Sequence, residues 1–281
     1  MTLREALISL KQKLSNIDDG DIEASYILEC VSGLSRTQML FSYDKELTEK
    51  VLAIASAMAD RRLAGEPIQY ILGSWDFMGF TFKVGEGVLI PRPETEILVE
   101  HIIEEIKDIE SPVIYDLCSG SGCIGLSIKK IRNDAKVFLV EKSSDALGYL
   151  RANRESLCGA LDDTTVIQGD ILSVGDFEQL PSADVIVSNP PYIRSEEIPT
   201  LQSEVQREPH MALDGGDDGL IFYRVLVNEW SKKLKSSGFM AFECGEDQAE
   251  DICNLFRKIN FDNEIINDYN NIQRIVIGRR N

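Results

Sequence analysis

The chain has 281 residues, 43% of them hydrophobic and 27% charged, with a formal net charge of −18. That length supports one large core plus a smaller domain, and that composition is that of a folded globular protein. The acidic balance argues against DNA or RNA as main partner, because duplex affinity is dominated by Lys and Arg neutralising phosphates. No apolar run reaches the roughly 20 residues of a membrane span. Met1-Thr2-Leu3-Arg4-Glu5 opens no signal-peptide core, so cytoplasmic residence without membrane contact is expected. Six scattered cysteines without a CxxC pair, and two histidines, His101 and His210, argue against a zinc site or a disulfide framework. The cysteines read as small buried hydrophobes.

Residues 1–64 carry helical periodicity. Thr2 with Glu5 forms a capping-box pattern, and Leu3, Ala6, Leu7, Leu10 and Leu14 follow at helical spacing. Asp19-Gly20 breaks the run. A second stripe passes through Ala24, Ile27, Leu28 and Val31, Ser35 restarts a short third helix, and Leu47, Val51, Ile54, Met58 and Leu63 mark a fourth. Short connections between such segments predict a small helical bundle. Gly65 and Pro67 end it, and residues 65–93 read as a β-hairpin linker. There Phe80, Phe82 and Val84 alternate, and Gly85-Glu86-Gly87 supplies a turn.

Pro91-Arg92-Pro93 leads into a helix near Glu94, which opens a domain spanning 94–281. Strand runs are predicted over Val113–Asp116, Val137–Glu141, Thr165–Gln168, Asp184–Ser188 and Phe239–Glu243. Helices lie between most of them, including stretches from about Gly122 and Gly219. Such alternation predicts an α/β, doubly wound, Rossmann-like parallel sheet. Glu264–Ile266 and Ile272–Ile277, joined by a polar turn, predict an antiparallel pair at the sheet edge.

Asp116-Leu117-Cys118-Ser119-Gly120-Ser121-Gly122-Cys123-Ile124-Gly125 follows a strand and opens a helix. Glycines there allow close backbone approach, and a helix N-terminus favours electronegative groups. Glu141 ends the next strand, where a carboxylate can accept both hydroxyls of a ribose. By itself this pattern fits a dinucleotide as well as another nucleoside.

The second constellation is Asp184-Val185-Ile186-Val187-Ser188-Asn189-Pro190-Pro191-Tyr192, a strand running into a rigid polar turn. The Asn189 side-chain oxygen and the Pro190 carbonyl can accept the two hydrogens of a planar amide, turning its nitrogen toward an electrophile. The prolines remove competing backbone donors. Tyr192 can lie against the amide plane, with a π face suited to a cationic methyl donor.

Asn189-Pro190-Pro191-Tyr192 resembles the catalytic motif of methyltransferases acting on planar nitrogens. The wider chain resembles one branch, the release-factor glutamine N5-methyltransferases. The likeness rests on Gly65-Glu66-Pro67-Ile68-Gln69-Tyr70-Ile71-Leu72-Gly73, Ile90-Pro91-Arg92-Pro93-Glu94-Thr95-Glu96, Glu208-Pro209-His210-Met211-Ala212-Leu213-Asp214-Gly215-Gly216 and Gly219-Leu220. It implies an enzyme using S-adenosylmethionine, releasing S-adenosylhomocysteine and needing no metal. Its implied acceptor is the glutamine of the Gly-Gly-Gln loop of class 1 peptide chain release factors, in support of translation termination, with the helical bundle recognising the factor. Cofactor binding falls to Asp116, Cys118, Ser119, Gly120, Ser121, Gly122, Glu141, Asp170, Ile171 and Asn189. Catalysis falls to Asn189, Pro190 and Tyr192, with Pro191 completing the glutamine site. Cys118 stands where the family usually has Gly, and Glu141 where it more often has Asp. Arg92 and Glu94 could pair near the site entrance, and His210 is not needed as a base. A ribosomal-protein glutamine methyltransferase is the nearest rival. Further away are an adenine DNA methyltransferase, a nicotinamide dehydrogenase and a factor-binding module without catalysis.

Overall fold

The structure is a computed structural model. It describes residues 1–159 and 163–280 and divides into two compact units, Met1–Ser74 with Gln202–Arg207, and Trp75–Leu201 with Glu208–Asn281. The first unit contains α1 (Leu3–Lys13), α2 (Gly20–Ser32), α3 (Arg36–Leu40), α4 (Glu49–Leu63) and α5 (Ile68–Leu72). Capping boxes start α1 and α3: Thr2 and Ser35 accept from the backbone N–H of Glu5 and Gln38, whose side chains accept in return. These bonds satisfy backbone donors that a helix start leaves unpaired. Leu3, Ala6 and Leu10 meet Ala24, Ile27 and Leu28, together with Ala55, Met58 and Ala59, in one apolar cluster.

The packed face of α4 differs from the apolar stripe read in its sequence. Ile54 and Leu63 are 45% and 44% exposed, whereas Arg62 is buried. Two small residues, Ala55 and Ala59, line the inward face, and Arg62 continues it because it meets two carboxylates. Its Nε donates to Glu23 at 2.6 Å and its Nη2 to Glu204, which lies in the Gln202–Arg207 segment. A buried guanidinium is tolerated only when paired in this way. Past Pro67 the chain makes one more helix, α5, and Ile68 and Ile71 join the bundle's cluster.

The two-stranded sheet of β1 (Ser74–Phe77) and β2 (Phe80–Lys83) turns at Met78-Gly79, not at Gly85-Glu86-Gly87. Both turn residues have positive φ, 53° and 75°, the backbone that two-residue hairpin turns require. Helix α6 (Pro93–Glu105) follows, with Pro93 at its first position.

The second unit then runs β3 (Val113–Leu117), α7 (Cys123–Ile131), β4 (Lys136–Glu141), α8 (Ser144–Cys158), β5 (Thr164–Gln168), β6 (Ala183–Ser188), α9 (His210–Leu213), α10 (Ile221–Asn228), β7 (Leu234–Glu243), α11 (Ala249–Lys258), β8 (Phe261–Asn267) and β9 (Gln273–Arg280). Its seven strands lie in the order β5-β4-β3-β6-β7-β9-β8. The pairs β5/β4, β4/β3, β3/β6 and β6/β7 are parallel, while β9 is antiparallel to both β7 and β8. Every residue of β3 and β6 is buried, as their near-continuous apolar sequences require of strands covered on both faces. Tyr115, Leu117, Ile186, Met240 and Phe242 supply one apolar layer, and Ile114, Val137, Leu139, Val185, Val187 and Ala241 the other. Chain order reverses at β3, whose neighbours β4 and β6 lie on opposite sides, and this opens a crevice at their carboxyl ends. Among the cysteines Cys244 and Cys253 are buried and Cys118, Cys123 and Cys158 partly so, but Cys30 is exposed, contrary to expectation.

Because Arg62 stands between two carboxylates, Arg62→Ala should leave Glu23 buried without its counter-charge. Breaking such a pair costs about 3–5 kcal/mol, so chemical denaturation should show a loss of that order in the transition that includes the helical unit. Lys11→Ala, at the exposed Lys11–Asp21 pair, should change stability by no more than about 1 kcal/mol. Equal effects of the two substitutions would show that the buried pairing does not hold α4.

Candidate active site

A cleft with about 950 Å³ of space, open solvent included, lies at the carboxyl ends of β3, β4 and β6. Its walls come from the turn after β3 (Cys118 to Ser121), Glu141 to Ser143 after β4, Gly169 to Ile171 after β5, and Asn189 and Pro191 after β6. Residues 87–92, Thr95, Pro209, Met211, Ala212 and Phe222 close the remaining sides.

The turn after β3 is shaped by three left-handed residues: Cys118, Gly120 and Gly122, at φ 63°, 54° and 83°. At Gly120 a Cβ would meet nothing within 4 Å, so glycine is required there only for its backbone angle. Gly122 needs both angle and space, since a Cβ would stand 2.3 Å from Leu150 Cδ1. Cys118 adopts the same region despite its Cβ, at a cost of about 1–2 kcal/mol. It also packs against the apolar layer formed by Tyr115 and Leu117. Burial, with Glu141 nearby, pushes its thiol well above the usual range, so it stays neutral.

Two carboxylates organise this turn. Asp116, fully buried at the end of β3, accepts from Gly125 N–H at 2.9 Å through Oδ2 and so pins the start of α7. Burial raises its pKa to about 7 against the opposing Gly125 bond. Its Oδ1, like Ser121 Oγ, is buried and has no partner within the protein. Glu141 accepts from Gly120 N–H at 2.8 Å and Ser143 N–H at 2.6 Å. Burial moves its carboxyl upward too, with the backbone bonds opposing. On the far wall Asp170 pairs with Lys142 at 2.8 Å. Burial works to raise its carboxyl, but the bonds from Lys142 and Leu172 N–H outweigh it and hold it below the usual range.

Asn189 is half-buried at the end of β6, and its Nδ2 donates to Thr95 Oγ1 at 3.3 Å. Pro190 and Pro191 are buried beside it. Tyr192 packs against the apolar layer, its backbone carbonyl accepts from Gln248 Nε2 at 2.8 Å, and burial keeps its phenol protonated.

The residues singled out from sequence thus fall into two groups. Cys118, Ser119, Gly120, Ser121, Glu141, Asp170, Ile171, Asn189 and Pro191 line the cleft directly. Asp116, Gly122, Pro190 and Tyr192 are not among its lining residues and lie in the turns that shape it. Arg92 pairs with Glu208, and Glu208 also accepts from Ile90 N–H at 3.0 Å, so the partner of Arg92 here is not Glu94. His210 is exposed, 3.8 Å from Asp214. Sequence reasoning missed Thr95 and Glu243. Thr95 sits inside the Pro91–Glu96 motif, and Glu243, like Glu141, is an acid at a strand's carboxyl end.

The unpartnered oxygens of Asp116, beside the cleft, and of Ser121, in its lining, together with the Glu141 carboxyl, suit a cationic nucleoside that brings donors and hydroxyls. Among the described residues no group of three or more His, Cys, Asp and Glu could hold a metal ion, and no helix is long and apolar enough to cross a membrane.

The chain matches the PrmC N-terminal domain over residues 3–73 and the Methyltransferase small domain over residues 93–218. It is 36% identical over 288 positions to the release factor glutamine methyltransferase of Clostridium acetobutylicum, covering 100% of this chain and 99% of that protein. Identity to the release factor glutamine methyltransferase of Thermodesulfovibrio yellowstonii is 37% over 281 positions, 97% of each chain. A solved structure of similar fold is the 16S rRNA methyltransferase RsmC of T. thermophilus in complex with AdoMet and guanosine. It has a TM-score of 0.53 at 16% identity, over 74% of this chain and 50% of that one. Near-complete coverage by such relatives, on a doubly wound sheet with its cleft at the switch point, makes the chain an enzyme that belongs to the release factor glutamine methyltransferase family.

Proposed function

We propose that the chain transfers a methyl group from S-adenosylmethionine to the side-chain amide nitrogen, N5, of the glutamine in the Gly-Gly-Gln motif of class 1 peptide chain release factors, and so supports translation termination. The observation that carries this reading is the setting of Asn189. Its amide nitrogen is engaged by Thr95, which leaves its oxygen as an acceptor at the cleft wall beside Pro191.

Asp116 and Ser121 would hold the polar end of the donor, Glu141 its ribose hydroxyls, and Asp170 and Ile171 would flank its base. Cys118, Ser119, Gly120 and Gly122 give the turn its shape. When bound, the donor supplies an electrophilic methyl group on a sulfonium, which needs no metal to activate it. What the chain contributes is orientation. The nitrogen of a primary amide is a weak nucleophile, because its lone pair is delocalised into the carbonyl. Asn189 Oδ1 and the Pro190 carbonyl would accept its two hydrogens and present the lone pair, while Tyr192 would support the amide plane. Fixed acceptors of this kind act through positioning and preorganised dipoles. No side chain with a poised base is required, in keeping with the exposed place of His210. The helical unit would recognise the release factor, with the cytoplasm as the site of action.

Three outcomes are expected. In calorimetry S-adenosylhomocysteine should bind saturably and NAD should not; the reverse pattern would overturn the methyltransferase reading. S-adenosylhomocysteine carries an ammonium group, so its affinity should rise with pH through about 7 as the raised Asp116 carboxyl ionises. Asp116→Asn should flatten that rise, and an unchanged profile would remove Asp116 from the donor site. Asn189→Ala should lower kcat on release factor by on the order of 10² or more, by analogy with loss of one oxyanion-hole donor. Its S-adenosylhomocysteine affinity should stay within about threefold, since the loss falls chiefly on the transition state. Turnover close to wild type would exclude the acceptor role.

A further inference from the structure

Beneath Asn189 lies a buried acid to which the reaction just described gives no part. Glu243, at the carboxyl end of β7, is 1% exposed. Burying a carboxyl is costly unless its oxygens are satisfied, and an apolar side chain would fill the same place without that cost. What it touches is specific. Thr95, in the first turn of α6 and 2% exposed, donates its hydroxyl hydrogen to Glu243 Oε2 at 2.5 Å. Thr95 Oγ1 in turn accepts from Asn189 Nδ2 at 3.3 Å. The Tyr223 hydroxyl donates to the Glu243 backbone carbonyl at 2.6 Å and anchors the strand end.

The direction of this chain of bonds follows from counting hydrogens. A threonine hydroxyl has one, and a carboxylate can only accept. Once Thr95 has given its hydrogen to Glu243, its oxygen can only accept from Asn189. The two ends of the Asn189 amide are nearly equal in shape and opposite in polarity. Whichever end meets Thr95 decides which end faces the cleft.

We propose that Thr95 and Glu243 are positioning residues, forming a one-directional relay from Asn189 through Thr95 to Glu243 that sets the polarity of the Asn189 amide. The relay keeps an acceptor oxygen, and not an NH2 group, toward the incoming glutamine. This rests on the reading of Asn189 as an acceptor for the substrate amide. Without the relay Asn189 could rotate about its last torsion and offer two donors to a substrate nitrogen that itself carries two hydrogens. Burial pushes the Glu243 carboxyl up to about 7, opposed by the hydrogen bonds from Thr95 and Asn189 and by the Arg274 charge, with Glu94 adding to the rise. The relay runs in the direction given while that carboxyl is ionised.

The test is a set of near-isosteric variants of the full chain, assayed on release factor and on a short glutamine peptide. Thr95→Val removes the hydroxyl at equal volume and should lower kcat about tenfold or more on both substrates, a loss of the size seen when one positioned polar group is removed. KM and S-adenosylhomocysteine affinity should stay within about threefold. Thr95→Ser keeps the hydroxyl and should restore kcat to within about threefold of wild type. Glu243→Gln can donate to Thr95 and so reverse the relay; it should match the loss of Thr95→Val, and it serves if Thr95→Val does not fold. The deciding measurement is a double-mutant cycle, because groups acting as a unit are non-additive. In an Asn189→Ala background Thr95→Val should cost nothing further. An equal cost with and without Asn189, or a fully active Thr95→Val or Glu243→Gln, would overturn the relay. If Asn189→Ala itself were fully active, the acceptor reading would fall first, and the relay with it.

Discussion

Strand β3 is hydrogen-bonded on both sides to parallel neighbours, β4 and β6, and the site depends on that constraint. Parallel pairing brings three carboxyl ends to one edge of the sheet. The chain must leave that edge by crossing over a face, so the turns after β3, β4 and β6 converge on one crevice. Asp116, Glu141 and Asn189 are distant in sequence, and it is this register that makes them neighbours of a single cleft. The apolar layers on both faces make the sheet stiff enough to hold them there.

A second theme is the cost of burying carboxyls. Asp116, Glu141 and Glu243 all lie at strand ends with their titration pushed upward by burial. Each is matched to donors from the turn it supports: Gly125 N–H for Asp116, Gly120 and Ser143 N–H for Glu141, the Thr95 hydroxyl for Glu243. Such acids act as struts, since they fix loop geometry through strong acceptors while staying out of contact with water. The oxygens they leave unused are what a ligand can take. Glu208 does the same for the facing wall, holding Ile90 and Arg92 through its two oxygens.

Cys118 and Glu141, the two residues at which the resemblance implied a departure, are accommodated locally. Cys118 accepts a left-handed backbone and offsets part of its strain by packing against the apolar layer. Glu141 is one methylene longer than aspartate, and it uses that reach to bind backbone N–H groups on two different turns. Segment Gln202–Arg207 also takes part in the helical unit, where Glu204 neutralises Arg62 and Arg207 donates to the Ala64 carbonyl. Within that unit, Gln202–Arg207 is thereby joined to the end of α4 by polar contacts.

Much was legible in the sequence because it is a local property. Capping boxes at Thr2 and Ser35 set helix starts, since the bonding groups lie three residues apart. The strands β3 and β6 were readable because strands covered on both faces are near-continuously apolar. The two motifs at 116–125 and 189–192 pointed to the cleft, because backbone freedom and proline rigidity are properties of the residues themselves. What the sequence could not decide is what depends on partners far along the chain. The buried place of Arg62 required carboxylates at 23 and 204, so an apolar count misjudged the face of α4. The hairpin turned at Met78-Gly79 because pairing of β1 with β2 leaves those two residues between the strands, whereas the glycine-rich stretch nearby gave a stronger local signal. Thr95 and Glu243 went unseen for the same reason. Separated from Asn189 by 94 and 54 positions respectively, they reach it only once α6 and β7 have packed beside β6. Direction in a hydrogen-bond chain belongs to the assembled network, and no single residue in it records that direction.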